Sequence, residues 1–190
     1  MTPANGIGNS SPHVVVALRR LARSGGIVAA AFALKLPLFA VPNVEPLTLA
    51  FVLVGYAYGS VWGAMVGTLS MAVYATFNPW GAAIPPVWGA QIVGMGLAGL
   101  VGGLARPLLG RMGTPGRASA VAVGVAVTLV YDVLTNLAFA FAIGPFVPVM
   151  IAAIPFSALH VLSNALLFGA IFPILGRWLT RPAASVAAPS

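Results

Sequence analysis

The sequence contains no cysteine, which excludes disulfides and thiolate metal ligands and leaves the redox compartment unread. Charge is nearly as scarce: 6% of the 190 residues are charged, against about 25% in a soluble domain. Only two acidic side chains are present, Glu45 and Asp132, and only two histidines, His13 and His160. No Gly-x-Ser-x-Gly elbow accompanies a histidine, no glycine-rich phosphate loop occurs, and two carboxylates with one histidine in the apolar region make a poor metal site. These gaps predict a protein that is not an enzyme and that itself holds no metal, nucleotide or other cofactor.

What fills the chain instead is hydrocarbon. Hydrophobic residues make up 60% of it, and the mean hydropathy is +1.02. The reading is an all-α integral membrane protein of one domain. A bilayer core of about 30 Å takes about 20 helical residues, and six apolar segments qualify or nearly so: Gly25–Ala40, Pro46–Gly59, Val61–Phe77, Pro86–Ala105, Ala118–Ile143 and Pro155–Gly176. The predicted fold is a compact bundle of six transmembrane helices over 21–178. A flexible N-terminal stretch, 1–20, precedes it, and a disordered tail, 179–190, follows. The positive start "ALRRLARSGG" resembles the head of a signal peptide, but the apolar run after it continues into a bundle, so cleavage is not expected.

The net charge of +7 would suggest nucleic acid in a soluble protein. Here topology explains it. Arg19, Arg20 and Arg23 precede segment one; Arg106, Arg111 and Arg117 lie between segments four and five; Arg177 and Arg181 follow segment six. With six spans all eight fall on one side, which the positive-inside rule assigns to the cytoplasm together with both termini. No nucleic-acid partner is needed. The ninth cation, Lys35, lies in the other half of segment one.

The opposite loops, "VPNVEP", "NPWGAAIPP" and "GPFVPVMIAAIP", are rich in proline, glycine and aromatics and predict structured caps. Beneath them lie the rare polar groups. An aspartate at membrane depth costs about 2.5–3.5 kcal/mol to insert and must face protein, cavity or ligand. Asp132, Thr135 and Asn136 share one helical face, and so do Ser157, His160 and Asn164. Together with Lys35, Asn43, Glu45, Tyr74, Asn78, Trp88 and Gln91 they outline an outward, aromatic-lined chamber for a small molecule. Structural roles compete. Glu45 suits the first turn of a helix with Asn43 as its N-cap, Lys35 suits a pair with Asp132 or Glu45, and His160 suits a pair with Asn164. Small residues at four-residue spacing mark helix contacts. Gly63, Gly67, Gly99 and Gly103 fit packing within the bundle, whereas Gly25, Ala29 and Ala33 on the first helix fit a contact to another subunit equally well.

The stretches "NVEPLTLAFVLVGYAYGSVWGAMVGTLS" (43–70), "QIVGMGLAGLVGGL" (91–104), "YDVLTNLAF" (131–139) and "IPFSALHVLSNALLFGAI" (154–171) resemble the substrate-binding S components of energy-coupling factor (ECF) vitamin transporters, over about residues 20–178. The resemblance implies capture of a vitamin or related micronutrient from outside a bacterial or archaeal cytoplasmic membrane. It implies partners too: a transmembrane coupling subunit docked on the Gly25, Ala29, Ala33 face, and two ATPase subunits that hydrolyse the ATP. Two other readings stand beside it: a small membrane scaffold of the bacterial rod-shape type, which needs no polar chamber, and a solitary carrier, which needs a polar path across the membrane.

Overall fold

The computed structural model describes residues 12–38, 40, 41, 43–77, 79, 81–110 and 116–180. Regular structure among them is entirely helical. The order is α1 (Pro12–Lys35), a 3₁₀ turn (Leu36–Leu38), α2 (Leu47–Tyr58), α3 (Ser60–Phe77), α4 (Pro85–Leu104), a short α5 (Arg106–Leu109), α6 (Arg117–Ile143), α7 (Phe146–Ala170) and α8 (Phe172–Thr180). Five of these, α1 with its 3₁₀ extension, α3, α4, α6 and α7, are long and apolar enough to cross a membrane. The chain is an all-α, multi-pass membrane protein.

The architecture is organised around α2. Residues Leu47–Tyr56 are buried without interruption, as expected of a helix that is apolar on every side. At 1.5 Å per residue it is only about 18 Å long. Helices α1, α3, α4 and α8 pack around it, and α6 and α7 form a second layer joined through α4. The outward faces carry Val61, Leu69 and Phe77 on α3, Val130 and Val133 on α6, and Leu162 and Leu166 on α7, all exposed. In lipid these apolar stripes are at home.

Glycine sets how closely the centre packs. A Cβ at Gly55 or Gly63 would strike the Gly99 carbonyl; one at Gly99 would strike the Gly63 carbonyl, and one at Gly102 that of Val52. Helices α2, α3 and α4 therefore touch backbone to backbone, the arrangement that small residues permit in lipid. The turn from α2 to α3 also requires glycine, because Gly59 has φ +106° while its N–H closes α2 onto the Gly55 carbonyl. On α1 the pattern is reversed. Gly25, Ala29 and Ala33 are exposed, and a Cβ at Gly25 would meet nothing within 4 Å.

Two of the predicted segments, the first and the sixth, depart from the sequence reading, and the sixth is divided between α7 and α8. Helix α1 begins at Pro12, so residues 12–20 are helical rather than loose, and it ends at Lys35 instead of continuing to Ala40. Residues 1–11 and 181–190, including Arg181, lie outside the described set, as does Arg111. The loop "GPFVPVMIAAIP" is largely helix: α7 starts at Phe146, and Pro155 lies inside it rather than at its beginning. Pro145 is the N-cap and Pro148 lies in the first turn, where backbone N–H groups have no helical partner and proline forfeits nothing.

The cations gather at one end of the bundle. The Arg20 guanidinium lies over the Trp62 ring, 5.7 Å from its centroid, and Trp62 Nε1 donates to Ser24 Oγ at 2.9 Å. Arg106 Nε donates to the Tyr56 carbonyl, and Arg117 lies beside Gly169. The first half of α1, the α2–α3 turn, the end of α4 and the start of α6 thus share one end, and Lys35 lies at the other. Gly99→Ala is expected to lower stability by about 3 kcal/mol or to prevent folding. Gly89→Ala on the same helix, where a Cβ meets nothing within 4 Å, should stay within about 1 kcal/mol of the native protein. Thermal unfolding in detergent measures both.

Candidate functional site

Both acidic side chains converge on one imidazole. Asp132, in the second half of α6, is 5% exposed, and His160, midway along α7, is 2% exposed. His160 Nδ1 lies 2.7 Å from Asp132 Oδ1, and its Nε2 lies 3.7 Å from Glu45 Oε1. The first is a short charge-assisted hydrogen bond; the second is an ion-pair distance. Burial alone would raise the Glu45 carboxyl, but the His160 imidazole, the Lys35 ammonium and the Thr48 hydroxyl hold it below the ordinary carboxylate value. Thr48 Oγ1 supplies a hydrogen bond to Glu45 Oε1 at 3.1 Å.

The segment carrying Glu45 is fastened to α7. Asn43 adopts φ +57°, a conformation that asparagine tolerates better than most residues. Its Nδ2 donates to the Phe156 carbonyl at 2.8 Å, while Ser163 Oγ donates to the Asn43 carbonyl at 3.1 Å. Lys35 Nζ donates to the Val44 carbonyl at 3.3 Å. Residues 43–45 are therefore held between the end of α1 and the middle of α7.

Beneath this segment is a cavity of about 160 Å³, lined by Lys35, Asn43, Glu45, Met71, Tyr74, Gln91, Tyr131 and His160. Phe32 stacks on Tyr74 with ring centroids 5.5 Å apart, and the Tyr131 ring meets His160 edge to face at 5.8 Å. A cation, a carboxylate, two amides, an imidazole and two phenols therefore face one small space at the end of the bundle opposite the arginines. Several interior polar atoms nearby have no hydrogen-bond partner among the described residues: Asp132 Oδ2, His160 Nε2 and both amide atoms of Asn164. Buried polar groups are rarely left so.

The structure sorts the residues singled out from sequence. Lys35, Asn43, Glu45, Tyr74, Gln91 and His160 line the cavity. Asp132 does not; it stands behind His160 as its partner and forms no pair with Lys35. Asn136 is also displaced from the cavity, its Nδ2 donating to Ser157 Oγ at 3.1 Å. Trp88 faces outward and donates to Thr76 Oγ1 at 3.0 Å, and Asn78 lies outside the described residues. Asn43 is not a helix cap, because α2 begins at Leu47 with Pro46 as its N-cap, so Glu45 is not in its first turn. His160 and Asn164 form no pair. Met71 and Tyr131 were missed. Tyr131 adjoins Asp132 in "YDVLTN", the one sequence signal for it; in the structure its ring packs where a Cβ at Gly94 would strike it.

Asp132 and Glu45 face different nitrogens of His160, so the three form a line instead of converging on a point, and no metal-binding group of three occurs among the described residues. No family model matches the chain, and no curated protein or solved structure matches it either. Asp132→Ala and His160→Ala should each destabilise the protein by about 3–5 kcal/mol, because each strands a buried charged or polar partner. The double substitution should cost clearly less than their sum. Chemical or thermal unfolding in detergent gives all three values, and strict additivity would exclude the pair as a unit.

Proposed function

We propose that this chain is the substrate-capturing S component of an ECF-type importer, taking a vitamin-like micronutrient from outside the cell. The observation that carries the proposal is the small polar cavity, with Lys35, Glu45, Tyr74, Gln91 and Tyr131 facing one space at the end remote from the arginines. In this reading α1, α2, α3, α4, α6 and α7 are six spans. Helix α2 is short, but it is wrapped by its neighbours and need not reach both interfaces itself. The arginine end is cytoplasmic by the positive-inside rule, both termini are inside, and the membrane is that of a bacterium or archaeon.

Capture without chemistry is the mechanism. The ammonium and carboxylate orient a compact molecule of mixed polarity, and the phenol rings supply flat apolar contact. The 43–45 segment, held by hydrogen bonds from Asn43, Ser163 and Lys35 and by the Glu45–His160 pair, forms one wall of the space that receives it. The exposed Gly25, Ala29 and Ala33 stripe offers a close-packing surface to a coupling subunit, whose two ATPase partners supply the energy. The backbone contacts of α2, α3 and α4 close the space between those three helices, which counts against a solitary carrier with its path there. A scaffold of the rod-shape type would have no use for a charged cavity.

Native mass spectrometry of the purified protein with a panel of vitamins and related micronutrients is expected to show a one-to-one adduct with one member. Lys35→Ala should weaken that adduct about tenfold or more, the loss of a hydrogen bond to a charged group, while leaving the melting temperature close to native. Absence of an adduct across the panel would favour the scaffold. Ala29→Trp should leave ligand binding intact but abolish uptake by cells. Unimpaired uptake would remove the docking face from the account.

A further inference from the structure

We infer that the face of α1 turned toward α2 is a binding site for an anionic phospholipid, with its phosphate on Arg19, Arg20 and Arg23 and an acyl chain in the apolar groove beyond. Two cavities lie end to end along this face and share Arg23. The first, about 200 Å³, is lined by Val16, the three arginines and Tyr58. The second, about 360 Å³, continues past Arg23 along Gly26, Ala30 and Leu34, with Leu49 and Leu53 of α2 opposite and Trp178 of α8 at its side. The α1 residues recur at three- and four-residue intervals, so they form one continuous stripe. It is separate from the Gly25, Ala29, Ala33 stripe.

Charge determines the occupant. Glu45 and Asp132 are the only acidic side chains of the chain, and both are committed to His160 at the other end. No carboxylate side chain remains for the three arginines, which leaves them free to take an anion from outside the chain. Tyr58 adds a second sign: its hydroxyl is buried and has no hydrogen-bond partner among the described residues, though it lines the arginine cavity. Three guanidiniums and a phenolic O–H make a donor set suited to a phosphate. Because the apolar groove begins where the arginines end, a phosphate attached to an acyl chain fits both halves, and free phosphate fits only one. Anionic headgroups at a membrane surface attract arginine in the same way. The inference is independent of what the polar cavity binds.

The test is native mass spectrometry of the full chain in micelles doped with palmitoyl-oleoyl phosphatidylglycerol, the matching phosphatidylcholine, or inorganic phosphate alone. One phosphatidylglycerol should be retained per protein in preference to phosphatidylcholine, and phosphate at millimolar concentration should not displace it. Each arginine is worth about fivefold in affinity, so R19Q/R20Q/R23Q should lose about a hundredfold. The corresponding lysine triple, which keeps the charge and the topology signal, should stay within about tenfold of native. If the glutamine triple does not fold, R23Q alone should lose about fivefold, with Tyr58→Phe weakening retention in the same direction. Equal retention of the two lipids overturns the proposal, because the site would then not select an anionic headgroup. Displacement by free phosphate, or undiminished retention by a folded glutamine triple or R23Q, overturns it as well.

Discussion

Both carboxylates of this chain meet the same imidazole, and much of the candidate site depends on that contact. In an apolar bundle an unpaired charge costs several kcal/mol, so Asp132 and Glu45 must be neutralised where they stand. His160 receives Asp132 on Nδ1 at 2.7 Å and faces Glu45 with Nε2 at 3.7 Å. One side chain of α7 thereby ties α6 to the segment that precedes α2. The pairing also forms a wall of the cavity, since His160 and Glu45 line it while Asp132 braces them from behind. Folding and the geometry of the site are thus served by one interaction.

The second constraint is closeness. Where α2, α3 and α4 cross, glycines at 55, 63, 99 and 102 bring backbone onto backbone. That contact closes the crossing of these three helices with small residues and main chain. It leaves two chemically distinct ends: a polar cavity with a lone lysine at one, and arginines at the other. Between them the exterior is apolar and suits lipid. The proposed capture at one end and the proposed lipid binding at the other both rest on this division.

Much of this was legible in the sequence because hydrophobic runs in membrane helices end abruptly. Helices α2 to α4 and α6 fall within one residue of the boundaries read from glycine, proline and charge. The α7 boundary was missed because proline was read as a breaker, although Pro145 and Pro148 sit where a helix has no N–H to lose. At α1, Gly25–Gly26 and three arginines disguised a helix that continues to Pro12. Six cavity residues were legible because polar groups are so rare here that clustering alone marks them. The partner of Asp132 was not legible: periodicity puts residues on a face but says nothing about which neighbouring helix brings the opposite charge. Tyr131 was hidden for the opposite reason, as an aromatic in an apolar run reads as core.

The most direct test of the account exploits the missing cysteines. A single Tyr74→Cys substitution places the only thiol of the chain in the cavity, and a membrane-impermeant maleimide then reports which side reaches it. The account predicts labelling from the side opposite the arginine end, fixed independently by an Ala118→Cys variant whose thiol lies beside Arg117. Labelling of the cavity thiol from the arginine side would contradict an outward-facing capture site, and so would failure to label it from either side in a folded protein.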